Sequence, residues 1–155
     1  MSLSNFRARK VDFALYGRER YFSHVARTKY FNEIDRCLLI ASAILVDPDI
    51  GLEVNSKRGR EENYITYSEA EFLFNRMGRN SVLIIFQFIP RVKKQRYFSQ
   101  IGTRLKKMLG SSKVLYISDN QVVFFLLTRD TRTQQQVMNT ISDYGVVYRL
   151  ITGSI

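Results

Sequence analysis

Cysteine and histidine occur once each in the 155 residues, as Cys37 and His24. One cysteine excludes a disulfide framework and a zinc site built on paired thiolates. Cys37 is therefore expected as a small hydrophobe buried in a helix. His24 is expected at a surface or cap position, because the partners of nucleophilic catalysis are missing around it. On one helix it would lie about 20 Å from Cys37 at roughly 1.5 Å per residue. There is no glycine-rich phosphate loop; Gly102 and Gly110 stand alone. Asp47 and Asp49 flank Pro48 as turn formers, without the rest of a calcium loop. No metal site and no cofactor are expected. No apolar run reaches membrane-spanning length; the longest, Leu38 to Val46, is interrupted by Ser42 and stops at Asp47-Pro48. The first residues lack a charged-then-apolar signal pattern, so the expectation is a mature cytoplasmic protein.

Acidic residues are absent from the whole window between Glu71 and Asp119. Arg76, Arg79, Arg91, Lys93, Lys94, Arg96, Arg104, Lys106, Lys107 and Lys113 fall inside it and account for the entire net charge of +10. The remainder of the chain balances. A concentrated basic region calls for an anionic partner, whether nucleic acid, lipid headgroup or acidic protein surface, with a merely solubilising face as the alternative.

Apolar residues make up 45% of the chain, enough for a packed core. Val11, Phe13 and Leu15 alternate like a short strand. From Arg18 a helical spacing of Tyr21 or Phe22, Val25, Ala26, Tyr30, Phe31, Ile34, Leu38 and Ala41 predicts an N-terminal helical extension over 1–55, its Leu38–Val46 end buried on most sides. Asn55–Asn63 is polar, carries Gly59 and reads as the loop that bounds it. A second domain spans 64–155. Its first helix is predicted from a capping box at Ser68 and Glu71 to Gly78. The apolar strand from Ser81 to Ile89 is expected to be covered on both faces, with Pro90 ending it. A basic amphipathic helix over about Lys93–Leu109, capped by Gly110, follows. Strands at Lys113–Ile117 and Gln121–Leu127 surround a turn at Ser118-Asp119-Asn120. A capping box at Thr131 and Gln134 starts a helix that buries Val137, Met138, Ile141 and Tyr144 and stops at Gly145, with the last strand immediately after. Read together, these elements are α+β, a ferredoxin-like β-α-β-β-α-β core.

From about residue 70 to residue 155 the order and turns resemble the GGDEF family of diguanylate cyclases, whose core is palm-like. The signature loop of that family falls at Ser118, Asp119, Asn120, Gln121 and Val122. The following apolar strand, the closing Leu150–Ile155 run and Phe74-Asn75-Arg76 resemble neighbouring elements of the family. The resemblance implies a cyclase only where carboxylates hold two divalent cations. Here Ile85-Phe86-Gln87-Phe88-Ile89 carries no acid, Asn120 and Gln121 are neutral, and Ser118 and Asp119 replace glycines. The family's Arg-x-x-Asp product site has no match near Leu109–Ser112, so cyclic di-GMP is not expected to bind in that way.

The expected function is therefore a degenerate, non-catalytic GGDEF-like regulatory or adaptor module in cyclic di-GMP-linked signalling, with a protein partner or a second copy docked on it. Arg91, Lys93, Lys94, Arg96, Arg104, Lys106 and Lys107 are the candidate contacts for an anionic partner. Two alternatives stand beside this reading. One is RNA or DNA binding on a sheet whose aromatics (Phe86, Phe88, Tyr116, Phe124, Phe125) include an exposed set, Tyr116 being the named example. The other is a subunit of a larger assembly with its basic helix on an acidic partner or an anionic membrane surface. An apolar patch on the N-terminal helices (Tyr21, Phe22, Tyr30, Phe31) would point to a protein interface.

Overall fold

A computed structural model describes residues 26–53, 63–110 and 113–155. The expected Val11–Leu15 strand, His24, the start of the Arg18 helical pattern and nearly all of the Asn55–Asn63 loop lie outside them. The described residues form α1 (Arg27–Asn32), a 3-10 turn (Arg36–Leu39), β1 (Ala43–Val46), β2 (Gly51–Leu52), β3 (Tyr64–Ile65), α2 (Tyr67–Arg76) and β4 (Val82–Phe88). They continue with α3 (Lys94–Leu109), β5 (Leu115–Ser118), β6 (Val122–Thr128), α4 (Thr131–Tyr148) and β7 (Ile151–Ser154). The fold is mixed α+β around a five-stranded sheet ordered β1-β4-β6-β5-β7, with β2 and β3 forming a short parallel pair beside it.

The helix expected through Leu38–Val46 does not form. Asp35 accepts a hydrogen bond from the Cys37 N–H (2.9 Å) and caps a single 3-10 turn. Ala41 then takes a left-handed φ of 52°, which no helix continues through. Ile44, Leu45 and Val46 pair in parallel with β4, where branched side chains suit the pleat. Residues assigned to the helical extension thus supply an edge strand of the main sheet. Cys37 is exposed on the 3-10 turn, not buried in a helix.

Both helix starts lie slightly upstream of the expected boxes. Thr66 caps α2: its hydroxyl accepts from the Glu69 N–H and Glu69 accepts from the Thr66 N–H, so the box is Thr66–Glu69 rather than Ser68–Glu71. The same carboxylate takes a two-point grip from buried Arg27, which also donates to the Tyr64 carbonyl at 2.8 Å. Glu69 is thereby selected by three donors, where Glu71 has none of them. Asp130, not Thr131, caps α4 by accepting from the Thr133 N–H. Gly110 closes α3 in the left-handed conformation (φ 58°), as expected.

Helix α4 runs past Gly145 to Tyr148 and ends where Arg149 takes a left-handed φ of 55°. Val146, Val147 and Tyr148 are therefore helical and exposed, and the last strand begins only at Ile151. Gly145 is used for close packing instead: a Cβ there would lie 2.7 Å from the Thr152 methyl.

The strand order departs from the split βαβ arrangement in one place. β7 pairs antiparallel with β5 at the far edge, and the position beside β4 belongs to β1. Handedness explains the layers that result. The connections β1-α2-β4 and β4-α3-β5 each join parallel strands and step the same way across the sheet. Right-handed crossovers put α2 and α3 on one face. The connection β6-α4-β7 also steps that way but between strands running in the opposite direction, so α4 must lie on the other face. The packing agrees. Phe98 and Leu105 of α3 and Leu73 and Phe74 of α2 join Leu83, Ile85, Val123, Phe125 and Leu127 in the main core. Ile141 of α4 packs with Leu115 and Leu126 in a smaller one.

One helix about 10 Å across covers roughly two strands at about 4.8 Å spacing. On the α4 face, Leu126 of β6 is buried under the helix, while among the described residues no element lies over β1 and the outer part of β4. β4 is consequently covered fully on the α3 face and only in part on the other, against the expectation of cover on both: there Val82 and Ile84 pack against the smaller core and Phe88 is exposed.

Candidate functional site

The hairpin tip between β5 and β6 is built to hold a turn. Asp119 accepts from the backbone N–H groups of Val122 (2.8 Å) and Gln121 (2.6 Å), which hold its carboxyl below the usual carboxylate range. Ser118 donates its hydroxyl to the carbonyls of Asp119 and Val122, both at 2.8 Å. Asn120 accepts from the Lys94 ammonium at 2.6 Å, and Gln121 is exposed. The polar groups of Ser118 and Asp119 are thus directed at their own backbone. Val122 opens β6.

At the C-terminal end of β4, where the resemblance implies a metal-binding acid, Gln87 is buried and fully engaged. Its Oε1 accepts from the Leu52 N–H (2.8 Å) and its Nε2 donates to the carbonyls of Phe88 (2.9 Å) and Ile50 (3.4 Å). The amide ties the β2 segment to the sheet. Gly51 makes room for it, with a φ of 131° and no Cβ, which would fall 2.4 Å from Oε1. Among the described residues no three His, Cys, Asp or Glu side chains converge as a metal cluster.

The basic candidates gather on and just before α3. Arg91, Lys93, Arg96, Lys106 and Lys107 are exposed and make no ion pair among the described residues. Lys93, Arg96, Gln100 and Lys107 recur at three-, four- and seven-residue steps and so share a stripe. Two candidates differ. Lys94 is engaged with Asn120, and the Arg104 guanidinium lies 3.8 Å above the Tyr67 ring in a cation–π contact while remaining exposed. Arg76, which the resemblance placed in an Asn-Arg element, donates to the carbonyls of Phe31 (3.1 Å) and Ile34 (3.1 Å) and fastens the segment after α1.

The charge placement on α3 does not serve the helix. Lys93 is its N-cap and makes no side-chain capping bond, and the first turn has no acid. Positive charge there opposes the helix dipole, whereas Lys106 and Lys107 in the last turn suit it.

A second surface lies across the sheet. Leu45, Ile84, Ile117, Phe124 and Leu126 form the floor and Thr140, Ile141 and Tyr144 of α4 form the wall of an open groove of about 350 Å³. Phe86 continues it, meeting Phe124 and Phe88 edge-on at 5.7 and 5.0 Å. Of these aromatics Phe88 is exposed and Phe86 and Phe124 are half-buried, and the membership corrects the expectation: Tyr116 is buried on the α3 face with Phe125, and both pack against Phe98. The N-terminal patch is not found where described, since Phe31 is buried and Tyr30 packs on the core. The groove escaped sequence reasoning because its members alternate with core residues in equally apolar strands. The available signal was the Tyr144–Tyr148 spacing, one helical turn, which carries α4 beyond Gly145.

No described helix is long and apolar enough to cross a membrane. Comparison with protein-family models, with curated proteins and with solved structures finds no match to this chain.

Proposed function

We propose that this chain is a non-catalytic interaction module that docks an acidic protein surface on the outer side of α3. The observation that carries the reading is the run of exposed cations Arg91, Lys93, Arg96, Lys106 and Lys107, which form no ion pair among the described residues and two of which bracket a helix start they destabilise. A charge that costs helix stability and has no ion partner among the described residues is accounted for by an external one. The β-α-β-β-α-β order supports a ferredoxin-like ancestry for the core, with the position of β7 as the departure from it. The GGDEF resemblance adds a regulatory setting in cyclic di-GMP-linked signalling; its support is sequence pattern alone.

Nucleic acid is the second reading, and one specific observation weighs against its single-stranded form. Such sites set stacking aromatics beside the cations that track the backbone. Here exposed Phe88 and half-buried Phe86 and Phe124 lie on one face of the sheet and α3 packs on the other.

Binding measured at two salt concentrations separates these. Labelled single- and double-stranded oligonucleotides, cyclic di-GMP, GTP and an acidic peptide are tested on wild type and on a variant with Lys93, Lys94, Arg96, Lys106 and Lys107 changed to Gln. Salt-sensitive capture of the acidic peptide, lost in the variant, is the expected result. Oligonucleotide binding that falls steeply with salt and vanishes in the variant would transfer the stripe to nucleic acid.

A further inference from the structure

We infer that the bare apolar face beside α4 is the site where a second copy of this chain docks, in a two-fold dimer. Leu45, Phe88, Tyr144, Val147 and Tyr148 each keep between 47% and 58% of their surface exposed. Leu45, Phe88, Tyr144 and Tyr148 connect through Phe86 and Phe124 on the sheet and through the Tyr144–Tyr148 ring contact at 4.3 Å on the helix, and Val147 lies about one turn along α4 from Tyr144. The three aromatic side chains present roughly 150–250 Å² apiece, and with the smaller Leu45 and Val147 the five leave about 450 Å² of apolar surface in contact with water. A standard interface takes about 800 Å² from each partner and somewhat more than half of that is apolar, about 450 Å². The bare face matches that apolar share before any polar rim is added.

Two features select a copy of this chain as the occupant. The surface is its own complement: an apolar groove floored by Leu45, Ile84 and Phe124 lies beside an apolar ridge of Tyr144, Val147 and Tyr148. An isologous contact needs both on one patch, so that the ridge of each copy enters the groove of the other. Charge points the same way. A chain of net charge +10 repels itself unless its cations are kept apart. None of the residues lining the groove is charged, and the basic helix α3 packs on the opposite face of the sheet. Joined through the groove, the two α3 helices would stand more than about 30 Å apart, at roughly 10 Å per packed layer, several screening lengths of about 8 Å.

The test is the mass of the full chain in solution, by sedimentation and light scattering from micromolar to near-millimolar concentration. The expected result is a concentration-dependent dimer. Leu45→Asp on the sheet and Val147→Glu on α4, each at an exposed site, should weaken it at least about thirtyfold while far-ultraviolet circular dichroism stays unchanged. The five-residue charge variant of α3 should dimerise as wild type does, which distinguishes this surface from the anionic docking stripe. A wild type that remains monomeric throughout overturns the inference and leaves the groove to residues 1–25 of the same chain or to an unrelated apolar partner. A dimer that survives both groove variants overturns it as well, because another surface then makes the contact.

Discussion

Gln87 is engaged at both ends of its amide, an arrangement a carboxylate could not reproduce. An acid at this position would face two carbonyls, those of Ile50 and Phe88, which the amide Nε2 now satisfies. The neutral side chain is needed structurally, since it supplies an acceptor to the Leu52 N–H and donors to the carbonyls at once. Gln87→Leu keeps the volume but strands those groups without partners. We expect it to destabilise the fold by about 1–3 kcal/mol. The checking measurement is the urea midpoint with an unchanged denaturant slope; a midpoint equal to wild type would remove Gln87 from this role. That Gln87 lies on a buried strand was legible from its place in an apolar run. That it clips β2 was not, because Leu52 is 35 residues away and nothing local marks the pair.

Helix α3 carries the clearest conflict at the scale of an element. Its buried stripe of Phe98, Ile101, Leu105 and Leu109 and its Gly110 cap were legible from spacing, and both are present. Its N-terminus is poorly made, with Lys93 in an extended conformation that Asp would also adopt and use to accept from the first turn. Lys93→Asp should therefore stabilise the protein by about 1 kcal/mol through the cap and the dipole together. The melting midpoint should rise by roughly 2–4 °C for a chain of this size. The same substitution should weaken capture of an acidic partner. A variant that gains stability and loses no binding would show that Lys93 does not touch the partner. The shifted starts of α2 and α4 teach a related lesson: in each case the residue with the more complete set of donors became the cap.

At the scale of the whole molecule, three tyrosines report on assembly. Tyr97 of α3 is pushed up to about 12, chiefly by burial and then by the nearby Tyr67 of α2 and Tyr64 of β3. Its unfolded value is about 10. A pKa raised on folding stabilises the fold fully below pH about 10, and that contribution is lost as pH rises through about 12. Stability should consequently fall across that alkaline window, more steeply in wild type than in Tyr97→Phe. Unfolding free energies measured at intervals of pH check this, and parallel curves for the two proteins would contradict it. Tyr64 and Tyr67 are neighbours in the chain, but Tyr97 comes from a helix a strand and a loop further on, so only docking of α3 against β3 and α2 brings the three rings together.

By itself the sequence determined the element types from Ser81 onward, the α3 stripe and its cap, the tight β5-β6 turn and the concentration of cations on one helix. These depend on side-chain periodicity and on residues a few positions apart, where backbone geometry is local. Only the tertiary structure decided that Ala43–Val46 joins the sheet, that β7 lies beyond β5, and that α4 therefore crosses to the opposite face from α3. Strand order is a choice among long-range pairings of similarly apolar segments, and no local pattern distinguishes them. With that order set, the handedness of the crossovers assigns each helix its face. The bare apolar groove and its separation from the basic helix follow from the same geometry.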